Sequence, residues 1–352
     1  MSRHSTARLM MLVMVAGLFC LGAHAQTYSA TDLGVVRHDS ARVHGINAIG
    51  QAVGESGQPH GADTHAFFWQ KKGGMRDLGT LAGGDYSSAF AINDSGLVIG
   101  TSNTGTNMRA FSWTSAGGLR DIGTLPGASD AQAYSVNNSG QIAGASGSHA
   151  VIWSGGSVQD LGTLGGATSE AHGINNSGQT VGMSQTADGS THAFLWANGA
   201  MQDLGTLNGD TQSRADHVND SGLIVGASSG SGGVRAFFWS QASGMEAINA
   251  LTGGDYSEAF GVNSQGQVVG ASGSSIGTRA FLWTHSGGVI DLNTLVAGLP
   301  SDVVLTGAFS INDKGEIVAF GLRNANVNRH QETHMDSHAH SGPTRVFLLS
   351  PE

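Results

Sequence analysis

Short apolar runs of about five residues alternate along the chain with segments rich in glycine, asparagine and serine. Between Ala171 and Leu204 four such runs follow one another: AHGI, QTVG, HAFLW and MQDL. Runs of this length, with β-branched and aromatic residues and bounded by turn residues, are typical of β-strands. No segment shows a sustained helical period. The pattern therefore predicts an all-β protein.

The links between these runs predict hairpins. Residues 175–178 (NNSG) join the first two runs, and residues 197–200 (ANGA) join the third and fourth. Asparagine and glycine accept the positive φ that tight hairpins require. Four consecutive runs connected in this way predict an antiparallel four-stranded unit, with strands that we name A, B, C and D.

This unit recurs seven times. The marker [IV]-N-x-x-G ends each A strand, and its asparagine stands at Asn47, Asn93, Asn137, Asn175, Asn219, Asn263 and Asn312. The C-strand motif A-F-x-W, or a close variant, holds all six tryptophans: Trp69, Trp113, Trp153, Trp196, Trp239 and Trp283. The D-strand motif D-[LI]-G-T-L contributes Asp77, Asp121, Asp160 and Asp203, with weaker copies at Ile248 and Asp291.

Four antiparallel strands in each repeat of about 40–45 residues predict a seven-bladed β-propeller. A β-solenoid is the alternative, but consecutive hairpins form a meander rather than parallel coils. The chain begins with a D strand (residues 28–34) and ends with a C strand (residues 345–349). We therefore expect the N-terminal strand to pair with the C-terminal strand, which closes the ring and covers two sheet edges.

Several repeated residues admit both a structural and a functional interpretation. The tryptophan series favours core packing over sugar stacking, because one position is shared by six blades. The D-strand aspartates favour turn hydrogen bonds over metal ligation, because they lie on separate outer strands. For the residue three positions before the marker asparagine two interpretations are open: it lines the axial channel, or it packs between blades. In the seven repeats this residue is His44, Phe90, Tyr134, His172, Asp216, Phe260 and Phe309.

Residues 1–25 have the features of a secretory signal peptide. Arg3 and Arg8 precede the apolar residues 9–21, and the small-x-small sequence AHA ends at Ala25. Thirteen apolar residues are too few for a membrane anchor, and a lipoprotein signal at Cys20 is disfavoured by the bulky Phe19. We expect a propeller domain over residues 26–352 that is secreted, periplasmic or on the cell surface, with no membrane span after cleavage.

The composition of the chain restricts the classes of partner that it can bind. Loss of the two signal-peptide arginines lowers the net charge of the 352-residue chain from −10 to −12. An acidic, lysine-poor surface argues against nucleic acid and anionic lipid. Cys20 is the only cysteine in the sequence, so a mature chain would rely on packing and hydrogen bonds. Polysaccharide or another envelope protein are the partners that we consider.

The B–C loops are the most variable connections. They span four to ten residues in six repeats and about 24 in the last, where residues 321–343 form a long histidine-rich loop. Loops on a rigid scaffold commonly carry function. Four histidines, together with Glu332 and Asp336, form a candidate Zn²⁺ or Cu²⁺ site: His330, His334, His338 and His340. A solvated loop without metal is the alternative.

Catalytic motifs are nearly absent. The sequence GASSG at residues 226–230 matches the nucleophile-elbow pattern G-x-S-x-G, but the strand-turn-helix context of that motif is not predicted here. There is no phosphate-binding loop, H-E-x-x-H or dinucleotide fingerprint. Two carboxylates facing the axial channel would suffice for a glycosidase, although the sequence does not pair them.

The repeat resembles that of the HAF-repeat family of probable extracellular bacterial proteins. The likeness rests on HAFLW at residues 192–196, DLGTLGG at residues 160–166 and GINNSGQ at residues 173–179. Arginine replaces the motif histidine at Arg109, Arg235 and Arg279. The resemblance implies an extracellular location and no reaction, so no catalytic residue is carried over.

Three functions fit these observations. The leading hypothesis is an exported non-enzymatic scaffold that binds a partner through its B–C loop face. The second is an envelope polysaccharide hydrolase or lyase that acts at the axial channel. The third is a structural surface or matrix protein.

Overall fold

The structure, a computed structural model, describes residues 26–36, 40–57, 63–323 and 344–352. Seven sheets, antiparallel apart from one two-residue pair, form a β-propeller. The all-β, seven-bladed fold is therefore confirmed. The proposed signal peptide and most of the histidine-rich loop lie outside the described residues.

Each of blades 1 to 6 is one four-stranded sheet in the order A-B-C-D. Blades 1 to 3 comprise β2 (Ala41–Ile46), β3 (Ala52–Ser56), β4 (His65–Gln70), β5 (Gly74–Gly79), β6 (Ser87–Ile92), β7 (Val98–Asn103), β8 (Met108–Thr114), β9 (Gly118–Asp121), β10 (Ala131–Val136), β11 (Ile142–Ser146), β12 (His149–Ser154) and β13 (Ser157–Asp160). Blades 4 to 6 comprise β14 (Gly165–Ile174), β15 (Thr180–Thr186), β16 (Thr191–Ala197), β17 (Ala200–Asp203), β18 (Asp210–Val218), β19 (Ile224–Gly230), β20 (Gly233–Ser240), β21 (Gly244–Ile248), β22 (Ser257–Val262), β23 (Val268–Ser272), β24 (Arg279–Thr284) and β25 (Gly288–Asp291).

Blade 7 joins the two ends of the chain. It contains β27 (Val303–Ile311), β28 (Ile317–Arg323), β29 (Thr344–Pro351) and the N-terminal strand β1 (Tyr28–Asp32). Strand β1 pairs antiparallel with β29 over its whole length, as expected. The sequence did not predict two smaller elements, a 3₁₀ turn (Leu292–Thr294) and the two-residue strand β26 (Val296–Ala297), which pairs parallel with β1.

The core lies between neighbouring blades. The C-strand phenylalanines are almost fully buried. The residue four positions before each marker asparagine, alanine in six blades and Val43 in blade 1, has no exposed surface. Trp69, Trp113, Trp153 and Trp239 are buried, whereas Trp196 and Trp283 are only half-buried. Small residues near the axis and large ones further out fit the taper of a propeller wedge.

The D-strand aspartates make turn hydrogen bonds, as the sequence indicated. In six blades the carboxylate accepts a hydrogen bond of 2.7–2.9 Å from the backbone N–H two residues later. The same carboxylates contact the C-strand histidine or arginine of their blade, as in the His149–Asp160 and Arg109–Asp121 pairs. This pairing explains why arginine replaces histidine in several repeats, since both side chains present an N–H donor to the aspartate.

The marker asparagines form a closed hydrogen-bonded ring around the axis. In all seven blades the Nδ2 atom donates to the backbone carbonyl of the next blade's marker asparagine, at 2.8–3.2 Å. The last of these bonds runs from Asn312 to Asn47 and closes the circle. Each of the seven asparagines is only 2–6% exposed.

Each marker asparagine also fixes its own A–B turn. Its Oδ1 atom accepts a hydrogen bond from the backbone N–H four residues later in every blade. The glycine three residues after the asparagine has φ between +73° and +82°, a region that suits glycine. The N-x-x-G marker is therefore a turn and an interblade joint at once.

Replacement of Asn137 by alanine should destabilise the protein. The change leaves the buried carbonyl of Asn175 without its donor and removes the acceptor of the turn, which together should cost about 1–3 kcal/mol. Urea unfolding followed by tryptophan fluorescence measures the loss. Ser139→Ala in the same turn is the control. Equal stability of the Asn137→Ala and Ser139→Ala proteins would contradict the proposed importance of the ring.

Candidate functional site at the propeller axis

Every A strand carries a β-bulge at the same position. The pairing register skips one residue in each of the seven A–B hairpins, and the skipped residue stands three before the marker asparagine. The skipped residues are His44, Phe90, Tyr134, His172, Asp216, Phe260 and Phe309. Since a bulge re-aims a side chain, one side chain from each blade can turn towards the axis.

These side chains contact their neighbours around the axis. Ring centroids are 5.3 Å apart for His44 and Phe90, 5.6 Å for Phe90 and Tyr134, and 5.5 Å for Tyr134 and His172. Phe309 contacts His44 at 5.8 Å on the other side, and Phe260 at 5.0 Å. The sequence allowed these side chains either to line the axis or to pack between blades, and in the structure they lie around the axis. We name these seven side chains the axial ring.

One sector of the axial ring is charged. His172 Nδ1 lies 3.5 Å from an Asp216 oxygen, and His172 Nε2 lies 3.5 Å from Glu170. Arg214 bonds Asp216 through Nε at 3.0 Å and Glu258 through Nη2 at 2.6 Å. We name Glu170, His172, Arg214, Asp216 and Glu258 the axial cluster; its members come from the A strands of blades 4, 5 and 6.

The axial cluster lies towards the B–C loop face. Glu170, Arg214 and Glu258 stand five residues before their marker asparagines, or about 16 Å along a strand from the A–B turns. The asparagine ring lies at the opposite end of the A strands. The asparagine ring therefore surrounds the axis at the A–B turn face, and the charged side chains lie towards the opposite face.

The axial cluster remains in contact with solvent. Side-chain exposure is 16–19% for His172, Arg214, Asp216 and Glu258, and 41% for Glu170. Five ionisable groups that are partly exposed and mutually paired can present charge to a ligand without the cost of complete burial.

The ionisation states of the axial cluster are fixed by its contacts. Burial disfavours charged His172, but the contacts with Asp216 and Glu170 outweigh burial and raise its pKa to about 9. Burial also works against ionised Asp216, yet the charge of Arg214 and the contact with His172 lower its pKa. The contact with His172 lowers the pKa of Glu170. At neutral pH His172 and Arg214 are therefore cations, and Asp216 and Glu170 are carboxylates.

A second ion pair lies on the A and B strands of blade 1. Arg42 is 3.8 Å from Glu55, which also accepts a hydrogen bond of 3.2 Å from the Tyr86 hydroxyl. Burial lowers the pKa of Arg42 and raises that of Tyr86. This pair is almost fully buried, with side-chain exposures of 5% and 6%, and the Tyr86 hydroxyl connects it to the segment that leads into blade 2.

The structure describes one of the two sites that the sequence suggested and not the other. His330, His334, His338 and His340 lie outside the described residues, so the proposed metal site stays a prediction. Within residues 26–36, 40–57, 63–323 and 344–352, no group of three histidine, cysteine or acidic side chains is arranged to hold a metal ion. The G-x-S-x-G serine is structural, because Ser228 is 1% exposed and bonds Leu207 N and Gln212 O.

The charged column five residues before the marker asparagine was missed by sequence reasoning. A signal was present, because Arg214 and Glu258 occupy one column in successive repeats, 44 residues apart. Equivalent columns of neighbouring blades lie side by side in a propeller. An alignment of the repeats with one another would have paired these two opposite charges.

Comparison with known proteins shows the fold and no more. No known family model matches the chain, and no curated protein matches it in sequence. Among solved structures, virginiamycin B lyase from Staphylococcus aureus is similar over 92% of this chain and 99% of its own, with a TM-score of 0.56 and 9% identity. A Mycobacterium tuberculosis puromycin-hydrolyzing peptidase matches 82% of this chain with a TM-score of 0.52 and 10% identity; the match covers only 53% of the peptidase.

A third similar structure is the β-propeller domain of the Trilobed protease from Pyrococcus furiosus, with a TM-score of 0.50, 10% identity and coverage of 72% of this chain and 81% of that one. At such low identity these likenesses carry no activity over. In the part of the chain that the structure describes, no helix is long and apolar enough to cross a membrane.

The raised pKa of His172 makes stability depend on pH. Its folded-state pKa of about 9 exceeds the ordinary 6.5, so its contribution is complete below about pH 6.5 and is lost as the pH rises through 9. The free energy of unfolding should fall over this interval, and less steeply in His172→Phe, which has the residue of blades 2, 6 and 7. An NMR titration of His172 with a midpoint at or below 6.5 would contradict this assignment.

Proposed function

We propose that this protein is a non-enzymatic binding protein that recognises a carbohydrate through its axial cluster. The observation that carries the proposal is the convergence of five charged side chains from three adjacent blades, partly exposed beside an aromatic ring. The remainder of the axial ring is aromatic apart from His44. A structural or matrix protein would have no need of such a group of charges.

Polar atoms in and beside the axial cluster that make no hydrogen bond indicate which kind of ligand could bind there. Among the described residues, Arg214 Nη1, the Oε1 atom of Glu258 and the Tyr134 hydroxyl make no hydrogen bond. A guanidinium donates, a carboxylate accepts and a phenol does both. Sugar hydroxyl groups also donate and accept, so one sugar residue can satisfy all three groups. The neighbouring aromatic faces suit the apolar face of a sugar ring.

The ionisation states favour binding over catalysis. A general acid or base works best with a pKa near the operating pH. Here the pKa of His172 is raised to about 9 and those of Asp216 and Glu170 are lowered, which keeps all three charged at neutral pH. The contact of His172 with Tyr134 is the observation that would favour the second candidate, a polysaccharide hydrolase or lyase.

The B–C loops extend this proposal. They project from the face towards which the axial cluster lies, and the histidine-rich loop would be one of them. Export by a signal peptide and membership of the HAF-repeat family are parts of the same proposal. Both agree with an envelope or extracellular polysaccharide as the partner.

Binding should depend on the Arg214–Glu258 pair. We would apply a chain starting at Gln26 to a printed array of neutral and acidic bacterial glycans. Loss of a charged hydrogen-bonding group costs about 1.5–3 kcal/mol, a decrease in affinity of about 10- to 150-fold. Arg214→Ala should show this decrease, and Glu258→Gln a smaller one. Titration calorimetry with the glycan that binds best provides the affinities.

Arg109→Ala is the matched control, because Arg109 also pairs with a carboxylate but on an outer strand. If a folded Arg214→Ala protein bound every glycan of the array as tightly as the unchanged protein does, the axial cluster would be ruled out as a binding site. Release of shortened or unsaturated sugar from the bound glycan would establish the enzymatic candidate instead.

A further inference from the structure

A groove on the A–B turn face has the make-up of a binding site, independently of the axial cluster. It lies on blade 4 between the A–B turns of blades 4 and 5 and the C–D hairpin of blade 4, with a volume of about 560 Å³. Its lining includes Gln141, Gln179, Trp196, Asn198, Asp220 and Ser221. We propose that this groove is a second carbohydrate-binding site, on the face opposite to the axial cluster.

Trp196 departs from its equivalents in the other blades. Trp69, Trp113, Trp153 and Trp239 are 4–6% exposed, and Trp283, although half-buried, contacts the rings of Phe238 and His285. Trp196 is half-buried: it packs against the core between blades 3 and 4, lines the groove, and makes no ring contact with another aromatic side chain of the described residues. Its indole therefore presents surface to the groove, where it can serve as a platform for a sugar ring.

The indole nitrogen of Trp196 is also uncommitted. Trp196 Nε1 makes no hydrogen bond to any described residue. The other repeat tryptophans share this feature except Trp153, whose Nε1 donates to the carbonyl of Gly123 at 3.2 Å. An exposed indole N–H prefers a partner, and a sugar hydroxyl provides one.

Two glutamine side chains add donors that the fold holds in place. Asn137 and Asn175 donate to the Oε1 atoms of Gln141 and Gln179 at 2.8 and 2.7 Å. This contact fixes the orientation of each amide, so its NH₂ end points away from the asparagine. Neither NH₂ group bonds another described residue. Blades 2 and 5 have leucine at the same position, Leu97 and Leu223.

The C–D hairpin of blade 4 completes the rim. Asn198 and Gly199 both have positive φ, 54° and 80°, as a two-residue Asn-Gly turn requires. The turn places Asn198 in the lining of the groove, to which Trp196 also belongs. Asp220 is committed, since its two oxygens accept from the backbone N–H and the side chain of Asn176 at 2.9 and 2.8 Å.

The donors of the groove select the ligand class. They are neutral N–H groups next to an aromatic face, and among the described lining residues only Asp220 has a charged side chain. Phosphorylated or strongly anionic ligands would be repelled by Asp220 and would find no cation in the described lining. A neutral saccharide offers hydroxyl acceptors to the amides and an apolar face to the indole. Two such sites on opposite faces would let one propeller bridge two polysaccharide chains.

The test replaces the donor side chains by residues that stand at the same position in other repeats. Gln141→Leu/Gln179→Leu copies the leucines of blades 2 and 5, so the fold should persist, and Trp196→Ala removes the platform. Trp283→Ala is the matched control on blade 6. All variants carry Arg214→Ala, so that the axial cluster does not contribute, and are applied to the neutral glycans of the printed array.

We expect the Arg214→Ala parent to retain neutral-glycan binding. Both groove variants should lower the affinity at least tenfold, and Trp283→Ala should not. The groove is excluded if the double glutamine variant, folded by circular dichroism, binds as tightly as the parent. It is also excluded if the parent binds no neutral glycan at all.

Discussion

The structure depends on one repeated contact, the hydrogen bond from each marker asparagine to the backbone of the next. Seven chain segments converge at the axis, where there is least room for side chains and where unpaired backbone carbonyls would be costly. One asparagine per blade solves both problems, because its Oδ1 forms the turn while its Nδ2 satisfies the neighbouring carbonyl. Since the seven bonds form a closed circle, each blade is held by two neighbours, and the β1–β29 pairing closes the outer part of the same circle.

This joint leaves other positions free to vary. The asparagine, and the alanine that stands four residues before it in six blades, hold the blades together. The bulged residue between them faces the axis and contacts its counterparts there, and Phe90 and Phe309 also pack against the core. The bulged residue is accordingly aromatic in some blades and charged in others. The groove has a similar origin, because Gln141 and Gln179 occupy a position that holds glutamine in blades 1, 3, 4 and 6 and leucine in blades 2 and 5. Candidate function is thus found where the seven repeats differ.

Much of the fold could be predicted from the sequence, because its determinants are local. The N-x-x-G turns, the five-residue runs and the unmatched D and C strands at the two ends required only spacing and strand period. The orientation of the axial ring could not be predicted, because the bulge at residues such as His172 interrupts the alternation of strand side chains between the two faces of the sheet. Strand β26 was missed because two residues carry no pattern, and the exposure of Trp196 depends on neighbours that its own motif does not show.

The two candidate sites differ in how they can recognise a sugar. The axial cluster is ionic and its charges are fixed by one another, so its ligand must exchange water for hydrogen bonds to Arg214 and Glu258 without disrupting their mutual contact. The groove is neutral and its amides are fixed by the asparagine ring itself. Recognition there is coupled to the joint that holds blades 3, 4 and 5 together, because the side-chain amides of Gln141 and Gln179 accept hydrogen bonds from Asn137 and Asn175, the asparagines that form the turns. The residues that close the propeller would in this way also orient its ligand.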